Sequence, residues 1–220
     1  MELPGKGCRI THPSAADELI DEAEFDRDER LPYWAELWPS AIALARYLSG
    51  RDLSGRRAIE LGCGVGLPSV AALSRGARVL ATDYYAEALD FTLYNARANT
   101  QHEPELQTSL LDWRSPRTGE FGTFDLVLAA DVLYERRNVE LLSWLVGDLL
   151  APGGELAVAD PGRKEAAMFL ETLGEQGFEA SAETMTVNHK DSYVWVWVHR
   201  LRRAGGQAPR DGAPLLYSSS

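Results

Sequence analysis

Cysteine is nearly absent. Among 220 residues there are two, Cys8 and Cys63, which exclude a disulfide framework and fit a reducing compartment such as the cytoplasm. Basic charge is also in deficit: 22 Lys and Arg stand against 33 Asp and Glu, for a formal net charge of −11. Binding to a phosphate backbone depends on Lys and Arg displacing counterions, so nucleic acid is demoted as a partner. No apolar run reaches about eighteen residues and no basic-then-apolar leader is seen, so neither a membrane span nor a signal peptide is expected. The four histidines, His12, His102, His189 and His199, show no metal-ligand spacing, and the chain has no internal repeat. What remains is 45% hydrophobic and 25% charged, an ordinary composition for one α/β domain with a full core. A monomer is the simplest expectation.

The stretch around which the chain is organised is Ile59-Glu60-Leu61-Gly62-Cys63-Gly64-Val65-Gly66. An apolar run ending in an acid and then three alternating glycines reads as strand, turn and helix start, with backbone able to approach a ligand at the strand's carboxyl end. The next strand, Ala77-Arg78-Val79-Leu80-Ala81-Thr82, ends in Asp83, placed to accept both hydroxyls of a nucleotide ribose, with Tyr84 beside it. A dinucleotide site would read Gly-x-Gly-x-x-Gly and bind pyrophosphate at a helix N-terminus. Here the spacing is Gly62-x-Gly64-x-Gly66 and Glu60 precedes it. An anionic side chain there repels pyrophosphate and suits a ligand with an amino group or a sulfonium, which points to S-adenosylmethionine. A tight turn holding no ligand is the structural alternative.

Around that turn, periodicity lays out an alternating α/β chain with helices on both faces of a mostly parallel sheet. Residues 1–30 form an acidic arm containing Asp17, Glu18, Asp21, Glu22, Glu24, Asp26, Asp28 and Glu29. The arm is either a solvated, partly mobile segment, or a cover for the site or a contact for a basic partner. The aromatic stretch Tyr33-Trp34-Ala35-Glu36-Leu37-Trp38-Pro39 leads into a helix. Its Trp34 and Trp38 are either core or a wall packed against a sulfonium. Strand Leu106–Leu111 closes on Asp112-Trp113, an acid and a ring able to bond and stack on adenine or simply to cap a loop. The continuous apolar strand Phe124–Ala130 is of the doubly buried kind and ends at Asp131-Val132-Leu133-Tyr134. At a strand's carboxyl end near a switch point, Ala130 joins the cofactor wall and Asp131 and Tyr134 face the transferable group. Strand Glu155–Ala159 ends in Asp160-Pro161-Gly162-Arg163. A helix from about Lys164 to Glu175, a short strand after Gly177 and the aromatic strand Tyr193–Val198 follow. The domain is expected to span 31–201, with a disordered Gly, Pro, Arg and Ser-rich tail over 202–220.

Glu60-Leu61-Gly62-Cys63-Gly64-Val65-Gly66 with Asp83 resembles motif I and the ribose acid of class I methyltransferases. Asp131-Val132-Leu133-Tyr134 resembles the Asp-x-x-Tyr signature of the seven-β-strand protein methyltransferases. Pro32-Tyr33-Trp34-Ala35-Glu36-Leu37-Trp38-Pro39 and Asp160-Pro161-Gly162-Arg163 resemble the lysine methyltransferases of the electron transfer flavoprotein β subunit and their bacterial relatives. Glu60 through Pro68 reads more like other branches of that group. The resemblance covers residues 31 to 200. It implies a Rossmann-like, doubly wound, seven-stranded sheet whose last strand is antiparallel. It also implies S-adenosylmethionine as cofactor, no metal, and a protein lysine as acceptor, on the electron transfer flavoprotein β subunit or a ribosomal protein.

By that analogy Asp131 accepts a hydrogen bond from the incoming amine, Tyr134 orients it, and Trp34 and Trp38 shape the entrance. Asp160 and Arg163 stand on the substrate side. Arg163 either grips a carboxylate of the substrate or pairs with an acid of the arm. The alternatives are a small-molecule N- or O-methyltransferase of the same fold, a binding module without turnover, and a nicotinamide-dependent oxidoreductase. A small-molecule enzyme generally encloses its substrate under a lid, and this chain shows no long insertion for one.

Overall fold

The structure, a computed structural model, describes residues 2–3, 6–14 and 32–206. The acids of the arm and most of the tail lie outside the described residues. Seven strands form one sheet: β1 (Arg57–Leu61), β2 (Arg78–Asp83), β3 (Leu106–Leu110), β4 (Phe124–Ala130), β5 (Leu150–Asp160), β6 (Phe178–His189) and β7 (Ser192–Arg203). Their spatial order is β3-β2-β1-β4-β5-β7-β6. All neighbours from β3 to β5 are parallel, and β7 runs antiparallel to both β5 and β6. The strand order reverses between β1 and β4, where an α/β sheet opens a crevice at its carboxyl edge. Glu2–Leu3 and Lys6–Gly7 pair as a separate short ribbon.

Helices α1 (Pro39–Ser49), α2 (Leu67–Ser74), α3 (Ala86–Asn99), α4 (Arg136–Leu149) and α5 (Lys164–Glu175) clothe the two faces. Pro39 occupies the first turn of α1, where a missing N–H costs nothing, and Gly50 caps its end. The apolar run of β4 is explained by its neighbours. Leu126 and Leu128 enter the core shared with α1 and α2, while Val127 and Ala129 enter the opposite core with α4 and α5. Alternation along a strand sends successive side chains to opposite faces, so a strand covered on both sides has no polar face.

Three boundaries differ from the sequence reading. Strand β5 begins at Leu150 rather than Glu155, because Pro152, Gly153 and Gly154 sit in an irregularity between the pairs Phe124 with Leu150 and Leu126 with Glu155. The strand after Gly177 is twelve residues long instead of short. Its partner β7 runs to Arg203, so the folded domain extends past residue 201. The β6–β7 turn at Lys190 and Asp191 has φ of 47° and 60°, the left-handed pair that a two-residue hairpin requires. Near the amino end, Cys8 is buried, and Asn99 and Asn95 of α3 accept the N–H groups of Arg9 and Thr11. Part of the arm therefore packs on the domain.

Candidate active site

Cofactor-loop geometry follows from its glycines and two acids. Gly62 and Cys63 donate their N–H groups to Thr82 O, tying the turn to β2. Asp83, at the end of β2, accepts the Gly64 N–H at 2.9 Å through Oδ2 and the Tyr85 N–H at 3.1 Å through Oδ1. Burial raises the Asp83 carboxyl above its ordinary value, opposed by these backbone donors. Glu60 accepts both the N–H of Ser69, at 2.9 Å, and its hydroxyl. It thereby caps α2, whose N-cap residue Gly66 has no side chain to offer. Burial pushes Glu60 up to about 8, against the pull of the Ser69 hydrogen bonds.

Gly66 stands apart from the other two glycines. It has φ of 80°, and a β-carbon there would fall 2.5 Å from Thr92 Oγ1. It serves the approach of α3, whose Thr92 hydroxyl reaches Gly64 O at 3.0 Å, and it does not line the cleft.

One cleft at the carboxyl edge brings together Trp34, Trp38, Glu60, Gly62, Cys63, Gly64, Asp83, Tyr84, Asp112, Trp113, Ala130, Asp131 and Tyr134. Trp113 packs over Gly62, where a β-carbon would sit 3.4 Å from its ring. Asp112 is held by Arg114, whose Nη2 lies 2.8 Å from Oδ2, and the Arg114 guanidinium sits over the Tyr84 ring at 5.8 Å.

The two tryptophans take different ring neighbours. Trp34 packs on Phe91 and Tyr85 at 5.7 and 6.4 Å. Its carbonyl lies 3.1 Å from where a Gly64 β-carbon would be, which puts it against the cofactor loop. Trp38 meets Tyr33 edge-on at 6.0 Å, and Tyr33 meets Tyr134 edge-on at 5.5 Å. Tyr33, expected with the two tryptophans as core or cofactor wall, links Trp38 to Tyr134.

Asp131 has φ of 57°, a left-handed conformation uncommon away from glycine. Its N–H donates to Ala159 O at 3.0 Å. Ser40 Oγ donates to Oδ2 at 2.8 Å, and Arg163 Nη2 and Nε donate to Oδ1 at 2.6 and 3.2 Å. Among the described residues Arg163 takes an acid of its own domain. Its guanidinium pairs with the acid at the cleft floor and does not itself line the cleft. Asp160 is 1% exposed and spends Oδ1 on the N–H groups of Gly162 and Arg163, at 2.7 and 2.6 Å. It shapes the turn that aims Arg163. Ser40, fully buried on α1 and 91 residues from Asp131, was invisible because only the fold joins them.

A sequence-family model described as lysine methyltransferase matches residues 24–176. The chain belongs to that family. Among curated proteins it is 30% identical over 173 residues to the electron transfer flavoprotein β subunit lysine methyltransferase of Xenopus laevis, covering 74% of this chain and 68% of the relative. It is also 30% identical to EEF1A lysine methyltransferase 3 of Mus musculus, covering 79% and 74%. Among solved structures it resembles the magnesium protoporphyrin IX methyltransferase of Synechocystis PCC 6803, with TM-score 0.60, 20% identity and coverage of 85% and 94%. A ribosomal protein L11 methylase from Lactobacillus delbrueckii gives TM-score 0.57, 21% identity and coverage of 77% and 81%. These structures share the fold while carrying different acceptors in their names.

The protein is thus an S-adenosylmethionine-dependent methyltransferase, and its residues suit that cofactor. Bare backbone at Gly62 and Gly64, an acid at the end of β2, an aromatic ring over the turn and a second acid beneath it match a nucleoside joined to a cationic amino acid. No group of three or more His, Cys, Asp and Glu able to hold a metal occurs among the described residues. None of their helices is long and apolar enough to cross a membrane.

Proposed function

We propose that this enzyme methylates a lysine side chain of a protein partner. The electron transfer flavoprotein β subunit is the first candidate and a ribosomal protein the second. The observation that carries the reading is the charge-compensated carboxylate of Asp131 at the floor of a cleft walled by Tyr33, Trp38 and Tyr134. The names of the relatives in flavoprotein and elongation-factor methylation support the same class of acceptor.

Asp83 would hold the ribose hydroxyls, Trp113 would stack on the base beside Asp112, and Glu60 would face the cationic end of the cofactor. S-adenosylmethionine supplies a methyl group on a sulfonium whose departure needs no acid. The protein's part is therefore orientation and acceptor deprotonation. The aromatic walls exclude water from the amine and disfavour its charged form, so the lysine loses its proton at lower pH than in water. Asp131 accepts one N–H of the neutral amine and fixes its lone pair along the transfer axis. Arg163 offsets the carboxylate's charge, so that Asp131 orients the amine without holding a proton on it. The free thiols Cys8 and Cys63 suit action in the cytoplasm, and we read the enzyme as a monomer.

The deciding experiment is transfer of labelled methyl from S-adenosylmethionine into a cell extract, separated into protein and small-molecule fractions, with Asp131→Ala as control. Label on lysine in one protein band, absent with the variant, is the expected result. Label confined to the small-molecule fraction would exclude the protein-lysine reading and leave the cofactor and fold in place.

A further inference from the structure

The last pair joining β5 to β7 is Asp160 with Trp197. Beyond it the ribbon of β6 and β7 continues, pairing Met185–His189 with Ser192–Val196. Five residues at about 3.4 Å each carry it roughly 17 Å, past the carboxyl edge of the sheet and alongside the cleft. One face of the ribbon is spent on the core, with Val187 and Val196 fully buried. On the other face Tyr193 is 75% exposed and Trp195 61% exposed, opposite the uncharged Asn188 and Thr186.

A free two-stranded ribbon is marginal in water, but this one is fixed at three points. Lys190 at its tip pairs with Glu36 of the cleft wall at 3.1 Å. Arg46 of α1 donates to Thr186 O at 3.3 Å. At its root the Trp197 ring fills the space a Gly162 β-carbon would enter, 2.8 Å away. Gly162 precedes Arg163, which holds Asp131, so the row Trp197, Trp195 and Tyr193 starts beside the turn that carries Arg163.

A Trp and a Tyr side by side on a fixed strand, each opposite an uncharged cross-strand partner, are the kind of anchor that dominates protein interfaces. We propose that Tyr193 and Trp195 dock the lysine-bearing protein, taking the aliphatic stems and cationic heads of basic residues near the target lysine. The inference rests on the protein-lysine reading above. The occupant is a basic surface because this chain carries a net charge of −11, and aromatic faces attract cations. Tyr193 and Trp195 would supply affinity and the cleft would supply chemistry.

The test is the double variant Tyr193→Ala, Trp195→Ala, which leaves the packed face untouched. Labelled methyl transfer is followed over a dilution series of extract protein, together with retention of the same modified protein on immobilised enzyme and S-adenosylmethionine affinity. The expected result is at least a tenfold rise in half-saturating extract protein and loss of retention, with maximal rate and cofactor affinity unchanged. Labelling and retention equal to wild type would overturn the docking proposal alone. Absence of protein label with the wild-type enzyme would overturn the protein-lysine reading and this inference with it. Two further outcomes would each overturn the proposal by naming another occupant. One is a rise in radical oxidation of Trp195 on deletion of residues 207–220, which assigns the face to the chain's own tail. The other is conversion of a dimer to a monomer by the double variant, which assigns it to a second copy.

Discussion

Arg163 holds Asp131 by one oxygen, with Nη2 at 2.6 Å and Nε at 3.2 Å from Oδ1, and leaves Oδ2 to Ser40. A bare carboxylate beside the acceptor would stabilise its ammonium form and so retard attack; the guanidinium removes that penalty. Arg163→Met is therefore expected to move the pH profile of kcat/KM to higher pH, and activity near pH 7 falls about tenfold for each unit of displacement. Arg163→Lys should restore the charge but not the two-pronged geometry, and so recover activity in part. A drop in rate with an unmoved profile would reduce Arg163 to a purely structural role.

Asp131 itself adopts φ of 57°, a conformation that Asn tolerates better than most residues. Asp131→Asn is accordingly predicted to keep the melting temperature within a few degrees while lowering kcat by roughly 10²-fold, the scale expected when the group that orients the acceptor is lost. Calorimetry on the variant separates the two effects. A large loss of stability would mean that the carboxylate serves the fold first.

Gly66 offers a packing prediction. A methyl group there would meet Thr92 at 2.5 to 2.8 Å, on a residue with φ of 80°. Strain and overpacking add, so Gly66→Ala should cost on the order of 2–4 kcal/mol. Adding Thr92→Ala should return only part of that, because it relieves the contact and not the backbone. Denaturant titration of the single and double variants measures both terms.

Much of this arrangement was legible in residue order. The alternating glycines after β1, the acid ending β2 and the doubly buried run of β4 fix their own local structure, and together they set the sheet and its cleft. Contacts between distant segments were not legible. Ser40 meets Asp131 only because α1 packs over β4, β5 and β7, and Trp34 and Trp38 diverge because the intervening turn points one ring at Phe91 and the other at Tyr33. The turn-capping of Asp160 was not legible either, because a polar strand end reads alike whether it faces a ligand or caps its own turn.

Away from the cleft, Glu155 is fully buried yet charged. Burial works against ionisation, but hydrogen bonds from Arg51 and Arg202 and the charge of Arg200 overcome it and hold the carboxyl at about 2. A folded value below the ordinary 4.5 means this contribution is complete above pH 4.5 and is lost as pH falls toward 2. Glu155→Gln should leave three guanidinium groups facing one another and cost about 3–5 kcal/mol. Its acid-unfolding curve should also flatten over that window. An unchanged acid limb would show that other carboxylates govern it.

Glu60 shifts the opposite way, and the sign decides two observables. Its folded value of about 8 lies above the ordinary 4.5, so between these limits the cofactor-free folded state keeps a proton that the unfolded chain has lost. Stability contributed by Glu60 is therefore full below pH 4.5 and declines as pH rises toward 8. A cationic ligand favours the ionised carboxylate and lowers its pKa in the complex. Affinity for S-adenosylmethionine should consequently rise with pH up to about 8 and then level off, with proton release on binding near pH 7. Glu60→Gln retains an oxygen to accept from Ser69 N–H, so it should fold, lose the decline in stability, and bind the cofactor more weakly without that rise. Calorimetric titration in two buffers of different ionisation enthalpy reads the released proton directly. Release of the same size from the Gln variant would trace the proton to another group, with Asp83, also buried and raised, the next to test.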